Sequence, residues 1–342
     1  MLRGIRYGRP CMQTYLYGYI ALVKPKVIVT LIDNSLPFYF INHRFPKAIT
    51  IAIQNGRRDN FGRKPNTGFL DLLQIDHGWG KPTISHYCMF GEAEISLLRK
   101  YIHANFIATG NLQNNSYPQK PLTARARSKI SFVSSHPNLS HDLSTTALSQ
   151  DTYMHTGNRT ISFFEYYRIE RDVAKVVGQY CAENNLDFHI VGKRPETTPQ
   201  EHAFYAEALG EIPFTFHPCS TEGASYPRLL DSDVVVTVDS TIAYELFGRG
   251  KRVAFISVRG EAIGHSSIDF CRFASPLSTP DTGNNWTNTF DPMVIKSKLE
   301  FVRSSSQSEW EAATESIAPQ LVCFDEDNTR IRSLFTSLGL AR

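Results

Sequence analysis

The run Val234-Val235-Val236-Thr237-Val238 constrains this chain more than any other stretch. It is β-branched throughout, too short for a helix, and apolar at successive positions. A strand of that kind is covered on both faces, which is the environment of a parallel sheet. A helical pattern from Thr241 to Arg249 follows and stops at Gly250. A second apolar run, from Arg252 to Ser257, comes next. Strand, helix and strand in that order predict a βαβ unit.

The same alternation recurs along the chain. In the first half, a helix from Met12 to Val23 precedes a strand from Val27 to Ile32. A helix around Pro37 to Asn42 follows, then strands at Ala48 to Gln54, His86 to Met89 and Asn105 to Thr109, with a helix from Gly91 to about Tyr101. The stretch from Gly110 to Ser128 is polar and carries Pro118 and Pro121, so it reads as a linker between lobes. In the second half, strands are expected at Lys129 to Val133, Asp187 to Val191, Phe214 to His217 and the two runs above. Helices are expected within Phe163 to Asn184, at Pro199 to Leu209 and at Ser225 to Leu230. The stretch from Ser134 to Asn158 is rich in Ser, Thr and His and reads as a long loop. The part after Asp291 reads as mainly helical. The expected fold is α/β with a mostly parallel, doubly wound sheet in each half. A doubly wound domain normally opens with a strand, whereas this chain opens with a helix. That leaves open whether a first strand is absent or the start lies inside a longer reading frame.

Bulk properties narrow the function. The 342 residues, 42% hydrophobic, suffice for two domains with buried cores. Lys and Arg number 36 against 33 Asp and Glu, a formal net charge of +3. This near balance argues against a nucleic-acid binder. The 6 cysteines form no C-x-x-C pair and the 11 histidines no H-x-x-x-H spacing. They read as reduced thiols of a cytoplasmic protein without a zinc site. No apolar run is long enough to span a bilayer, and no secretory signal is apparent. The Tyr- and Arg-rich stretch from Leu2 to Val23 either rests on a membrane surface, as a peripheral inner-membrane contact, or is a half-buried helix.

Chemistry concentrates where a strand runs into a helix. After the valine run come Asp239, Ser240 and Thr241. A helix N-terminus there offers N–H groups and a favourable dipole to an anion, and the two hydroxyls add donors. Glu245, one turn on, can face the same cleft and bind a ribose hydroxyl. The plain alternative is that Asp239 or Ser240 merely caps the helix. Lys193 and Arg194 follow Gly192 at the end of another strand and suit a nucleotide phosphate; a solvated turn is the other reading. Asn55, Gly56 and Arg57 form a βα loop in the first half that could hold an acidic sugar or acceptor phosphate, or be a loop only. Glu165 opens a long helix and is an acid–base candidate beside Asp239, or an ordinary first-turn residue. Asp231-Ser232-Asp233 has the spacing of a metal-binding D-x-D but precedes its strand, so it reads as a turn. No G-x-x-x-x-G-K-[ST], G-x-G-x-x-G or G-x-S-x-G is present, which removes support from nucleotide hydrolysis, nicotinamide and serine esterase chemistry.

Several segments together resemble bacterial surface-carbohydrate biosynthesis proteins. In the first half these are Val27-Ile28-Val29-Thr30 with Asp33-Asn34, then Ile53-Gln54-Asn55-Gly56, and Phe90-Gly91-Glu92-Ala93-Glu94 with the run from Thr109 to Asn115. In the second half they are Asp239-Ser240-Thr241 with Tyr244-Glu245, Gly250-Lys251-Arg252-Val253 and Asn285-Trp286-Thr287-Asn288. The resemblance implies a GT-B glycosyltransferase: two Rossmann-like lobes with a cleft between them. It implies an acceptor lobe over 1–120, a nucleotide-sugar lobe over 121–325 and a C-terminal helix over 326–342. Some relatives are retaining β-Kdo transferases of capsule and lipopolysaccharide assembly. Likeness to them implies a CMP-linked donor, Asp239 as the catalytic nucleophile and Glu165 as its acidic partner. Ser240, Thr241, Glu245, Lys193 and Arg194 would bind the donor. Asp33, Asn55, Gly56 and Arg57 would meet a glycan or glycolipid acceptor. No metal or other cofactor is expected. Two alternatives stay open: a nucleotide-sugar 2-epimerase, and a non-catalytic partner in an assembly complex.

Overall fold

The computed structural model describes residues 12–58, 67–76, 78, 80–119, 127–135, 152–196, 199–221, 223–265, 267 and 269–340. The first lobe begins with α1 (Met12–Val23), which buries Tyr17 and Ile20 and leads into β1 (Val27–Thr30). A 3-10 turn and α2 (Ile41–Arg44) follow. Then come β2 (Ile49–Ile53), α3 (Phe69–Gln74), β3 (Thr83–Met89), α4 (Glu92–Leu98), β4 (His103–Ala108) and the short α5 (Leu112–Asn115). The strands lie side by side in chain order, β1-β2-β3-β4, all parallel. β2 is buried at four of its five positions, as its run of Ile and Ala requires.

The second lobe opens with β5 (Lys129–Val133). The hairpin of β6 (Thr152–Thr156) and β7 (Arg159–Ser162) leads to the long α6 (Phe163–Glu183). Then follow β8 (Asp187–Val191), α7 (Pro199–Leu209), β9 (Thr215–His217), α8 (Ser225–Asp231), β10 (Val234–Thr237), α9 (Thr241–Gly248), β11 (Val253–Ile256), α10 (Arg259–Ala262) and β12 (Trp286–Thr287). The 6-stranded sheet is parallel throughout, in the order β12-β11-β10-β5-β8-β9. β10 and β11 are buried at every position, as the valine run demands.

Two expectations change. The loop expected from Ser134 to Asn158 contains β6, paired antiparallel to β7 across a two-residue turn with Gly157 at positive φ; residues 136–151 lie outside the described ones. The polar residues of β6 hide its alternation, since Met154 and Thr156 alone are buried there. Within the stretch expected to be linker, Gly110 to Ser128, α5 is ordered because Asn111 caps it, accepting from the N–H groups of Gln113 and Asn114.

The C-terminal part holds α11 (Pro292–Ser304), α12 (Gln307–Thr314), α13 (Ala318–Leu321) and α14 (Thr329–Ser337). It crosses back over the lobe boundary. The chain from α13 to Cys323 squeezes past Gly91 and Gly248. A Cβ at Gly91 would lie 2.3 Å from the Gln320 carbonyl, and one at Gly248 1.9 Å from the Val322 carbonyl, so both positions require glycine. α14 then packs Ile331 and Leu334 against Ile51, Ile53 and Cys88 of the first sheet. The segment assigned to a separate C-terminal helix thus completes the first lobe.

Candidate functional site

The strand order places the site. From β5 the second sheet grows one way to β8 and β9, and the other way to β10, β11 and β12. Loops leaving β5 and β10 therefore diverge, and a crevice opens between their carboxyl ends. A cavity of about 540 Å³ lies there, lined by Ser134 and Ser135 after β5 and by Asp239, Ser240 and Thr241 after β10. Gly192 and Lys193 after β8 contribute, and Asn55, Asn111 and Gln113 of the first lobe line it from the other side. In the first sheet the described strands show no such reversal.

A buried polar network holds the strand-end loops at this crevice. Arg259 is fully buried and lies over the ring of Tyr166. It donates from Nε to Asp239 Oδ2 at 2.5 Å, from Nη2 to Glu170 Oε1 at 2.5 Å, and from Nη1 to the Tyr166 carbonyl. Glu170 also accepts from the Ser135 N–H and the Tyr205 hydroxyl. The Ser134 hydroxyl donates to Glu201 at 2.6 Å, and Glu201 takes the N–H groups of Lys193 and Arg194, both at 2.8 Å. Loops after β5, β8 and β10 are thereby tied to α6, α7 and α10. Burial alone would push the Asp239 carboxyl up; the Arg259 guanidinium outweighs it and, with Ser135, holds Asp239 below the usual carboxylate range. Asp239 is therefore ionised at neutral pH.

The start of α9 faces the cavity. Ser240 is its N-cap, yet its side chain makes no capping bond. The Ser240 N–H is held by the Thr237 hydroxyl at 2.9 Å. The Ala243 N–H turns back to the Ser240 carbonyl at 3.1 Å, while the hydroxyl of Ser240 and the start of α9 at Thr241 and Ile242 stand at the cavity wall near the positive end of the helix dipole. The exposed Lys193 adds a cation.

Glu245 lines the cavity from the next turn of α9. Burial drives its carboxyl up to about 8 against the opposing bond from the Tyr226 hydroxyl. Asn111 of the first lobe donates to it at 3.1 Å. A proton at Glu245 can therefore come and go near neutral pH, at the junction of the lobes.

Other residues expected at the site stand elsewhere. Glu165 does not line the cavity. It closes a capping box with Ser162, its carboxylate accepting from the Ser162 N–H at 2.9 Å, and pairs with Arg159 at 3.5 Å. That arrangement makes it a structural cap, which corrects its assignment as a catalytic acid. Asp33 is fully buried, clamped by Arg58 and by the Tyr87 hydroxyl at 2.7 Å, and cannot meet an acceptor directly. Arg57 is spent as a bridge between lobes. Its guanidinium lies 4.0 Å from the Tyr244 ring centre and donates to the Ser275 carbonyl, and its N–H reaches Thr241 Oγ1 at 3.4 Å. Gly56 lies against Thr241. Asn55 lines the cavity, and Arg194 does not. Asp231-Ser232-Asp233 spans the end of α8 and the turn into β10, at the opposite end of the sheet, where Asp233 accepts the N–H groups of Ser128 and Lys129. Among the described residues no group of three or more potential metal ligands is found, and no helix is long and apolar enough to cross a membrane.

Ser134, Ser135, Tyr226 and Arg259 escaped the sequence reading. The serines follow a strand, and that signal was present; which strand ends converge was not.

Two lobes with parallel sheets and a crevice between them define the GT-B fold. A family model described as "putative O-antigen biosynthesis protein" matches residues 51–338, and the chain belongs to that family. No curated protein matches the sequence. Among solved structures, a "putative UDP-N-acetylglucosamine 2-epimerase" from Listeria monocytogenes is 12% identical, with 96% of this chain covering 79% of that one at a TM-score of 0.52. The UDP-GlcNAc 2-epimerase of Methanocaldococcus jannaschii, solved with UDP-GlcNAc and UDP, is 11% identical, with 95% covering 80% at a TM-score of 0.51. Anabaena HepE, solved with UDP and glucose, is 11% identical, with 96% covering 84% at a TM-score of 0.47. At these identities the likeness concerns the fold alone.

Proposed function

We propose that this protein is a glycosyltransferase of surface-polysaccharide assembly that holds a nucleotide sugar in its second lobe and receives a glycan or glycolipid acceptor from the first-lobe side. One observation carries the reading. The crevice at the strand-order reversal joins an α9 N-terminus with an unspent Ser240 hydroxyl to Thr241 and Lys193. These groups suit the diphosphate or phosphate of a donor, and they would stabilise charge growing on the leaving phosphate without a metal. Glu245 would accept a ribose hydroxyl. Retaining transfer from a CMP-linked Kdo donor would ask for a covalent adduct on Asp239. Both Asp239 oxygens are engaged by Arg259 and Ser135, which lowers their nucleophilicity. Asp239 in this proposal orders the crevice.

The raised Glu245 carboxyl favours a second reading, a nucleotide-sugar 2-epimerase. Such an enzyme needs an acid–base group active near neutral pH.

Thermal melting with CMP, UDP, GDP and CDP tests nucleotide binding, because a ligand of the folded state raises Tm by mass action. At least one nucleotide should do so. Lys193→Ala should weaken that nucleotide roughly ten- to a hundredfold, the value of a charge-assisted bond. A cooperative melt that no nucleotide moves sinks both enzyme readings and favours a non-catalytic partner. A rise with CMP alone restores the Kdo-type donor. Isomerisation of the free nucleotide sugar without acceptor establishes the epimerase.

A further inference from the structure

The large apolar side chains left exposed among the described residues gather at the start of the chain. Tyr15, Leu16, Tyr19 and Leu22 on α1, with Leu31 and Ile32 just after β1, are 47–63% exposed. On α1 they recur at helical spacing, opposite the buried Tyr17 and Ile20. The helix is thus apolar on two sides, one packed into the first lobe and one facing outward. It leads directly into β1, the edge strand of its sheet.

Charge identifies what such a face suits. From Met1 to Arg58 the sequence holds a single acidic residue, Asp33. Asp33 is buried and paired with Arg58. Lys24 and Lys26 directly follow α1 and are exposed, as are Arg44 and Lys47. A second copy docked across a two-fold axis would set these cations against one another. An anionic lipid surface satisfies both features, since tyrosines and leucines enter the headgroup boundary while lysines meet the lipid charge. We propose that the outer face of α1, with Leu31, Ile32 and the Lys24–Lys26 turn, seats the protein on an anionic lipid surface. The proposal does not depend on which reaction the cleft performs.

Co-sedimentation of the full chain with phosphatidylcholine vesicles, with and without phosphatidylglycerol, tests it. The protein should pellet with the anionic vesicles and far less with the neutral ones. Lys24→Gln with Lys26→Gln should lower partition about thirtyfold, at ~1 kcal/mol per basic residue. Leu16→Glu with Leu22→Glu, both at exposed positions, should abolish binding while leaving Tm unchanged. Protein that stays in solution with both vesicles overturns the proposal. So does a leucine double variant that still binds, which would mean plain charge adhesion. A concentration-dependent dimer dissolved by Leu22→Glu would assign the face to a second copy instead.

Discussion

The two sheets are built from the same parallel unit. In the first, each strand is laid beside the one before, so every connection moves across the sheet in one direction. In the second, the chain moves outward from β5 to β8 and β9, then returns to place β10 on the other side of β5. Both lobes hold an arginine between strand-end groups, half-buried in the first and fully buried in the second. Arg58 clamps Asp33 in the first, and Arg259 clamps Glu170 and Asp239 in the second. Asp239 and Arg259 of the second clamp line the cavity themselves, with Ser240, Thr241 and Lys193; Asp33 and Arg58 of the first do not line it and reach it only through Asn55, which both of them bond. Similar polar inventories thus yield a structural clasp in one lobe and a candidate binding site in the other. What differs is whether neighbouring strand ends part.

The sharpest way to break that comparison is to remove each arginine. Arg259→Met leaves the buried Glu170 and the half-buried Asp239 uncompensated, and Arg58→Met leaves the buried Asp33. Each should cost roughly 3–5 kcal/mol in urea unfolding, the usual penalty for breaking a buried pair. Only Arg259→Met should also weaken nucleotide binding per folded molecule, measured by calorimetry at a temperature where both variants remain folded. Equal loss of binding in both would mean that the first lobe shares the donor site.

Glu245 gives an effect of comparable size at most, tied to pH. Its folded value, about 8, lies above the ordinary 4.5. Between those values the native state keeps a proton that the unfolded chain has released. Stability is therefore fully present below pH 4.5 and falls as pH rises to about 8, by an amount on the order of a few kcal/mol. Glu245→Gln should flatten that slope in unfolding midpoints taken across the window. A slope unchanged by the substitution would place its origin elsewhere.

The smallest effect belongs to Glu165. Glu165→Gln keeps a side-chain oxygen for the Ser162 N–H but removes the charge at the helix start and the pairing with Arg159. It should cost ~0.3–1 kcal/mol and leave nucleotide affinity unchanged. A loss of affinity would return Glu165 to the site.

These outcomes bear on what could be read in advance. The β10–α9–β11 unit was legible because an uninterrupted valine run fits one environment, and Ser240 with Thr241 could be placed from it. Glu165 was misassigned although Ser162 three residues before it spells a capping box, a local pattern with a local explanation. Arg57 read as a βα-loop cation that could hold an acidic sugar or acceptor phosphate, or as part of a plain loop. Its partners Tyr244 and Ser275 come from distant parts of the chain, and no local pattern announces them. β6 was hidden by polar residues, because a hairpin packed on one side over a few positions carries little apolar signal.

Hydrophobic period and capping chemistry act over a few residues, so the amino-acid order settled the alternation of strands and helices, their parallel pairing and the helix start that attracts anions. Strand order, the crevice between β5 and β10, the return of α14 to the first lobe and the raised carboxyl of Glu245 were decided only on folding. Each depends on surfaces meeting across long sequence separations. Burial and electrostatic environment belong to that assembled interior and not to any segment of the chain.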